Sequence, residues 1–254
     1  MRTFIYSFIL MLLGHYDAAA ATPAKPDTKC YELRIYSCFP GRRDALIQRF
    51  KDHTLRVFAK HKMESIGYWL PADSSQNTLY YILAYPSRAA RDTAWNAFHA
   101  DPEWIEIARK SEESGKIVEK VTSVFMNLSD ISPALKASHE KGATTRTFEL
   151  RTYFCPPGKL PNLLARFRDH TIKLFNQHGM QSIAYWTTVD STEKQPHLVY
   201  ILAHPSKDAA TANWAAFRSD PAWVSAKADS EKDGPIVEKT ESIFLNPLPF
   251  SAIR

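Results

Sequence analysis

Glycine is scarce, with eight residues in a chain of 254. None forms a Gly-rich phosphate loop or a Gly-x-Ser-x-Gly elbow, and no Ser-His-Asp arrangement stands out. These absences argue against nucleotide binding and against hydrolase-type acyl transfer. Cysteine is also sparse: three residues, an odd number, leave at least one thiol unpaired. Cys30 and Cys38 bracket one expected strand, and at about 3.3 Å per residue they stand too far apart to bridge each other. Cys38 and Cys155 occupy equivalent positions in a repeat, and could pair only if the strand ends approached each other. The formal charge of +5 is not gathered into a stripe. Lys and Arg alternate with Asp and Glu, the pattern of a solvated face, so no nucleic-acid partner is expected.

Long apolar runs are missing as well. The longest, Phe4 to Leu13, falls short of the about 20 residues a membrane-spanning helix needs, and no later segment reaches that length. It follows Arg2 and leads to Ala18, Ala19, Ala20 and Ala21, which reads as a secretory signal peptide over 1–21. The expected destination is periplasmic or extracellular. Mitochondrial import is the alternative, but transit peptides are Arg-rich, and between Arg2 and Lys25 there is no basic Lys or Arg.

What the chain does contain is itself, twice. Glu32-Leu33-Arg34 returns as Glu149-Leu150-Arg151, Asp52-His53-Thr54 as Asp169-His170-Thr171, and Tyr68-Trp69 as Tyr185-Trp186, all at an offset of 117. From Ile82-Leu83-Ala84 against Ile201-Leu202-Ala203 to Ile117-Val118-Glu119-Lys120 against Ile236-Val237-Glu238-Lys239 the offset is 119. The gain falls between Trp186 and Leu198 among turn residues, where insertions are tolerated. The expected boundaries are a first domain over 29–128, a polar linker over 129–145 and a second domain over 146–248.

Within each copy the hydrophobic period alternates between two and 3.6. Tyr31 to Cys38 reads as a strand, Leu46 to Phe58 as a helix, and Ser65 to Leu70 with Leu79 to Tyr85 as a hairpin. Ser87 caps a second helix, Asp101-Pro102 starts a third, and Val118 to Met126 is a last strand. The order β-α-β-β-α-α-β is a ferredoxin-like split βαβ with an added helix, of class α+β. One such sheet leaves a face bare; two in one chain can cover each other and close into a barrel with helices outside.

The ordered set Tyr31-Glu32-Leu33-Arg34-Ile35-Tyr36, Pro40-Gly41, Tyr68-Trp69 and Trp95-Asn96-Ala97-Phe98 leading into Asp101-Pro102-Glu103-Trp104 resembles the NIPSNAP family pattern. It recurs from Phe148-Glu149-Leu150-Arg151-Thr152-Tyr153 to Asp220-Pro221-Ala222-Trp223. The resemblance implies a dimeric α+β barrel, here with both halves in one chain, and a family without a defined catalytic activity whose animal members are associated with mitochondria and protein binding. Cofactor-independent monooxygenases, haem-degrading enzymes and chlorite dismutases share that fold. Fold sharing does not transfer those activities.

Three groups of residues could carry chemistry. Glu32, Arg34 and Tyr36 alternate with Leu33 and Ile35, and Glu149, Arg151 and Tyr153 repeat them. If the apolar side faces the helices, these six line a polar barrel interior, either as a small-molecule or anion pocket with the arginines as forked donors or as a paired network between the sheets. Buried charge is usually paired, which favours the network. His53 and His170, with His61 and His178 two turns on, fall at the spacing of the apolar helix face; haem ligation and satisfied inter-helix histidines are the two readings. No ligand stands at a recognised metal spacing beside them, so no metal and no resident cofactor is expected, with haem as the alternative. Trp69, Trp95, Trp104 and their mates Trp186, Trp214 and Trp223 read as structural anchors. The expected function is binding of a small molecule or protein through a barrel cavity. The alternatives are a cofactor-independent oxygenase or haem-handling enzyme, and an interaction module without a ligand.

Overall fold

The computed structural model describes residues 27–135, 146–189 and 196–254. The expected leader over 1–21 and the linker beyond 135 lie outside them. The first repeat comprises β1 (Cys30–Cys38), α1 (Arg43–Arg49), α2 (Leu55–Lys60), β2 (Glu64–Pro71), β3 (Thr78–Tyr85), α3 (Arg88–Ala100), α4 (Pro102–Ser111) and β4 (Val118–Leu128). The second comprises β5 (Thr147–Phe154), α5 (Leu160–Arg166), α6 (Ile172–Gln177), β6 (Gln181–Val189), β7 (Leu198–His204), α7 (Lys207–Ser219), α8 (Pro221–Ser230) and β8 (Lys239–Pro247). Ser87 and Ser206 cap α3 and α7 by accepting from the N–H groups of Ala90 and Ala209. Asp101 and Asp220 do the same for α4 and α8, each followed by proline in the first turn.

The eight strands form one closed barrel in the order β1-β3-β2-β8-β5-β7-β6-β4. All neighbours are antiparallel, and closure is reciprocal. β4 pairs with β1 of its own repeat and with β6 of the other; β8 pairs with β5 and with β2. The chain just past each of these strands continues the exchange. Ser129 N donates to Tyr185 O and Tyr185 N to Ser132 Oγ, while Leu248 N donates to Tyr68 O and Tyr68 N to Ser251 Oγ. Residues 129–132 thus add to the fold of the opposite repeat.

Side chains pack on both faces of the barrel wall, leaving 119–123 of β4 and 239–242 of β8 exposed. Inside the barrel, Leu33, Ile82, Met126, Leu150, Ile201 and Leu245 pack with Trp69 and Trp186 in one cluster. Outside it, two equivalent clusters hold the helices: Leu46, Phe50, Phe58, Tyr81, Trp95 and Phe98 in one repeat, and Leu163, Phe167, Phe175, Tyr200, Trp214 and Phe217 in the other. Three buried layers follow from one duplicated unit.

The conditional placement of the strand faces is overturned here. Leu33 and Leu150 turn into the barrel, and Glu32, Arg34, Glu149 and Arg151 turn toward the helices. The physical reason is that α3 and α7 bring hydrogen-bond donors to the carboxylates, whereas the barrel centre is lined mainly by apolar side chains.

A second correction concerns the first helix. Phe50–Thr54 and Phe167–Thr171 are π turns, each accommodating one extra residue between flanking α segments. Thr54 Oγ1 donates to Arg49 O, five residues back, and Thr171 Oγ1 to Arg166 O, both at 3.1 Å. The threonine therefore takes the buried position, and His53 and His170 are exposed rather than on the apolar face.

Candidate functional site

Under α3, Glu32 is fully buried and saturated. Its Oε1 accepts from Arg34 (2.5 Å), Arg91 (2.6 Å) and Ser123 (2.9 Å), and its Oε2 from Arg91 Nε (3.0 Å), Trp95 Nε1 (3.2 Å) and Tyr85 (3.3 Å). Burial alone would raise this carboxyl; the Arg91 and Arg34 guanidiniums outweigh it and hold it below the usual carboxylate range. Arg34 also donates to Tyr81 (2.8 Å) and Tyr36 (3.0 Å), with its guanidinium 4.1 Å from the centroid of the Trp95 ring.

The second repeat changes two partners. His204 stands where the first has Tyr85, and Ala210 where it has Arg91. Glu149 accepts from Arg151 (2.5 Å), Ser242 (2.6 Å), Trp214 Nε1 (2.6 Å) and His204 Nε2 (3.2 Å). Burial again works upward, and these partners bring the carboxyl down to about 2. Arg151 reaches Tyr153 at 3.4 Å and stacks on Trp214 at 4.3 Å. All six ligand candidates of the first strands thus meet in two internal networks that tie sheet to helix, away from the barrel interior.

His61 and His178 bridge helices. Their Nε2 atoms lie 2.8 and 2.7 Å from Asp101 and Asp220 Oδ2. The same aspartates cap α4 and α8, so the motif given only a helix-start role also anchors a histidine. Cys30, Cys38 and Cys155 are buried and form no disulfide among the described residues, and burial pushes the Cys38 and Cys155 thiols up to about 11.

A concave feature lies apart from these networks. Between the two sheets lies a cavity of about 830 Å³. Leu33, Ile35, Val124, Leu150, Val199 and Ile243 supply apolar lining; Tyr80, Thr122, Thr152, Thr188, His197 and Glu241 supply polar groups. Its size falls within the range of small-molecule sites. Along Leu33/Ile35 and Leu150/Thr152 the alternation in the strands could have revealed this wall; Tyr80, Thr188, His197 and Glu241 carried no signal until the barrel closed.

The NIPSNAP pattern matches residues 31–133 and again 148–252. This chain belongs to the NIPSNAP family. A NipSnap homolog of Dictyostelium discoideum is 24% identical over 144 residues, 56% of this chain and 56% of that protein, so the match spans little more than half the relative's length. Among solved structures, this NIPSNAP chain is similar to a candidate monooxygenase from Lactobacillus acidophilus, with 12% identity, 87% of this chain and 94% of that one covered, and a TM-score of 0.57. An anthrone oxidase-like protein gives 13% identity, 89% and 94% coverage, and a TM-score of 0.58. At such identities the likeness is one of fold. No helix among the described residues is long and apolar enough to cross a membrane.

Proposed function

We propose that this NIPSNAP protein binds a small, largely apolar molecule between its two sheets. The observation that carries the reading is the cavity of about 830 Å³ walled by Leu33, Ile35, Leu150 and Val199. The two carboxylate–arginine networks are read as struts, because the buried Glu32 and Glu149 carboxylates accept from the arginine, serine and tryptophan side chains packed around them. N-phenyl-1-naphthylamine, an uncharged dye that brightens in apolar surroundings, tests the site. Saturable fluorescence in the full chain that is lost in Ile35→Trp and Leu150→Phe supports it; undiminished fluorescence in both folded variants sinks it.

Cofactor-independent oxygenation in the same cavity is the second reading, supported by the fold shared with the candidate monooxygenase and the anthrone oxidase-like protein. Oxygen uptake with anthrone as probe, abolished by Ile35→Trp, is its signature; absence of uptake with the dye site intact removes it. Export is proposed on the apolar run Phe4 to Leu13 and the alanines after it. Amino-terminal sequencing of the protein from its native cell should begin after Ala20 or Ala21, and an intact Met1 would contradict it.

A further inference from the structure

The cavity lies where the two repeats face each other. Since all neighbouring strands are antiparallel, β1 and β5 run in the same direction, and the pseudo-twofold axis relating the repeats lies along the barrel. Residues related by that axis therefore look at each other across one shared space. Leu33 and Leu150 are such a pair, and so are Val124 and Ile243; here the two walls match and are apolar.

Two residues further along, they cease to match. The first repeat presents the cross-strand row Thr122, Ile35 and Tyr80, and the second presents Glu241, Thr152 and Val199 at the equivalent positions. Side chains paired across strands project from the same face, so Ile35 has a threonine hydroxyl as its counterpart. The second repeat also lines the cavity with Thr188 and His197, where the first has Pro71 and Thr78. These two are locked together: His197 N donates to Thr188 Oγ1 at 2.8 Å, and Thr188 N to His197 O at 3.0 Å. The His197 ring is held by Cys155 N, which donates to Nδ1 at 3.3 Å, and by the Phe154 ring at 4.7 Å.

A homodimer of a one-repeat chain must show identical residues on both sides of such an axis. This chain is free of that constraint, and the two walls of its cavity differ in the number and kind of polar groups they present. The charged lining group Glu241 pairs with Lys239 at 2.6 Å on the exposed rim; the second repeat's other polar groups include the Thr152 and Thr188 hydroxyls and the His197 imidazole, against the Tyr80 and Thr122 hydroxyls of the first. We infer that the cavity selects one asymmetric amphipathic molecule per chain: its apolar body lies against Leu33, Leu150, Val124 and Ile243, and an uncharged hydroxyl or carbonyl group turns to Thr152, Thr188 and His197. This rests on the cavity-binding reading above.

Naphthalene and 1-naphthol, compared by calorimetry on the full chain, test it. Naphthalene is the more apolar, so a preference for naphthol cannot come from desolvation. One equivalent of 1-naphthol should bind about tenfold tighter than naphthalene, the worth of roughly one good hydrogen bond. Thr152→Ile with His197→Thr restores the residues of the first repeat and should erase the preference while leaving naphthalene binding in place; Thr152→Val, which removes only a hydroxyl, should reduce it. Equal affinity for both probes, two equivalents bound, or a preference unchanged in both variants overturns the inference and leaves the cavity reading standing. Binding of neither probe to the wild-type chain overturns both.

Discussion

Gly67 lies beneath the ring of Trp69: a Cβ on Gly67 would stand 2.1 Å from the indole Cη2. The equivalent of Gly67 in the second repeat is Ala184, which is buried, so the two tryptophans are seated differently although both are enclosed in the barrel. Gly67→Ala should displace the indole and destabilise the fold by about 1–3 kcal/mol, the usual cost of overpacking. Urea denaturation followed by tryptophan fluorescence measures it, and an unchanged midpoint would show that Trp69 reseats freely.

Removing one partner of a buried pair is costlier than removing both. Glu32→Ala leaves Arg34 buried among Tyr36, Tyr81 and Trp95 without its carboxylate, at an expected loss of about 3–5 kcal/mol. Glu32→Met with Arg34→Met should lose less than the single change. A double mutant as unstable as Glu32→Ala would argue that the network holds α3 in place by geometry rather than by charge balance.

The same carboxylates set the acid limb of stability. Their folded pKa values lie below the unfolded ones, about 2 for Glu149, so their contribution is complete above the unfolded value near 4.3 and is lost as pH falls toward 2. Glu149→Gln should flatten part of the decline between about pH 5 and 2, relative to its own neutral-pH stability. Unfolding midpoints at half-unit pH intervals would reveal it, and parallel curves for the two proteins would refute the assignment.

Lys62 adopts φ 59° after α2, and its equivalent in the second repeat is Gly179 at φ 70°. Lys62→Gly should relieve left-handed strain and gain up to about 1 kcal/mol, less the entropy glycine adds to the unfolded chain. The reverse change, Gly179→Lys, should cost stability, since a Cβ there meets Asn213 Nδ2 at 3.1 Å. Thermal melting of both variants suffices.

Haem added to the protein offers a check on the helix histidines. With His53 and His170 exposed on the π turns, His53→Ala and His170→Ala should leave any Soret change as it is in the wild type. A band that shifts only when these residues are present would restore them as ligands.

Element order was readable because it depends on local rules: period-two alternation in β1, the serine caps of α3 and α7, and Asp-Pro at the starts of α4 and α8. The facing of β1 was not. Tyr31, Glu32, Leu33 and Arg34 are all buried, so alternation of polarity no longer separates inside from outside. The decision rests on Arg91 and Trp95, 59 and 63 residues from Glu32, which deliver their donors only after α3 docks. For His53 the reason is a single inserted residue. Helical spacing places 46, 50, 53 and 57 on one face, and a π turn moves 54 into that row. The cavity was hidden for a third reason, since Tyr80 and Glu241 come together only across the closed barrel.

The exchange of β4 and β8 between repeats carries a further consequence. A barrel assembled from two separate one-repeat chains is subject to mass action and falls apart when dilute. Here each half carries its counterpart on the same chain, at an effective concentration that dilution leaves unchanged. The space between the sheets then persists down to protein levels at which a two-chain version would no longer enclose one.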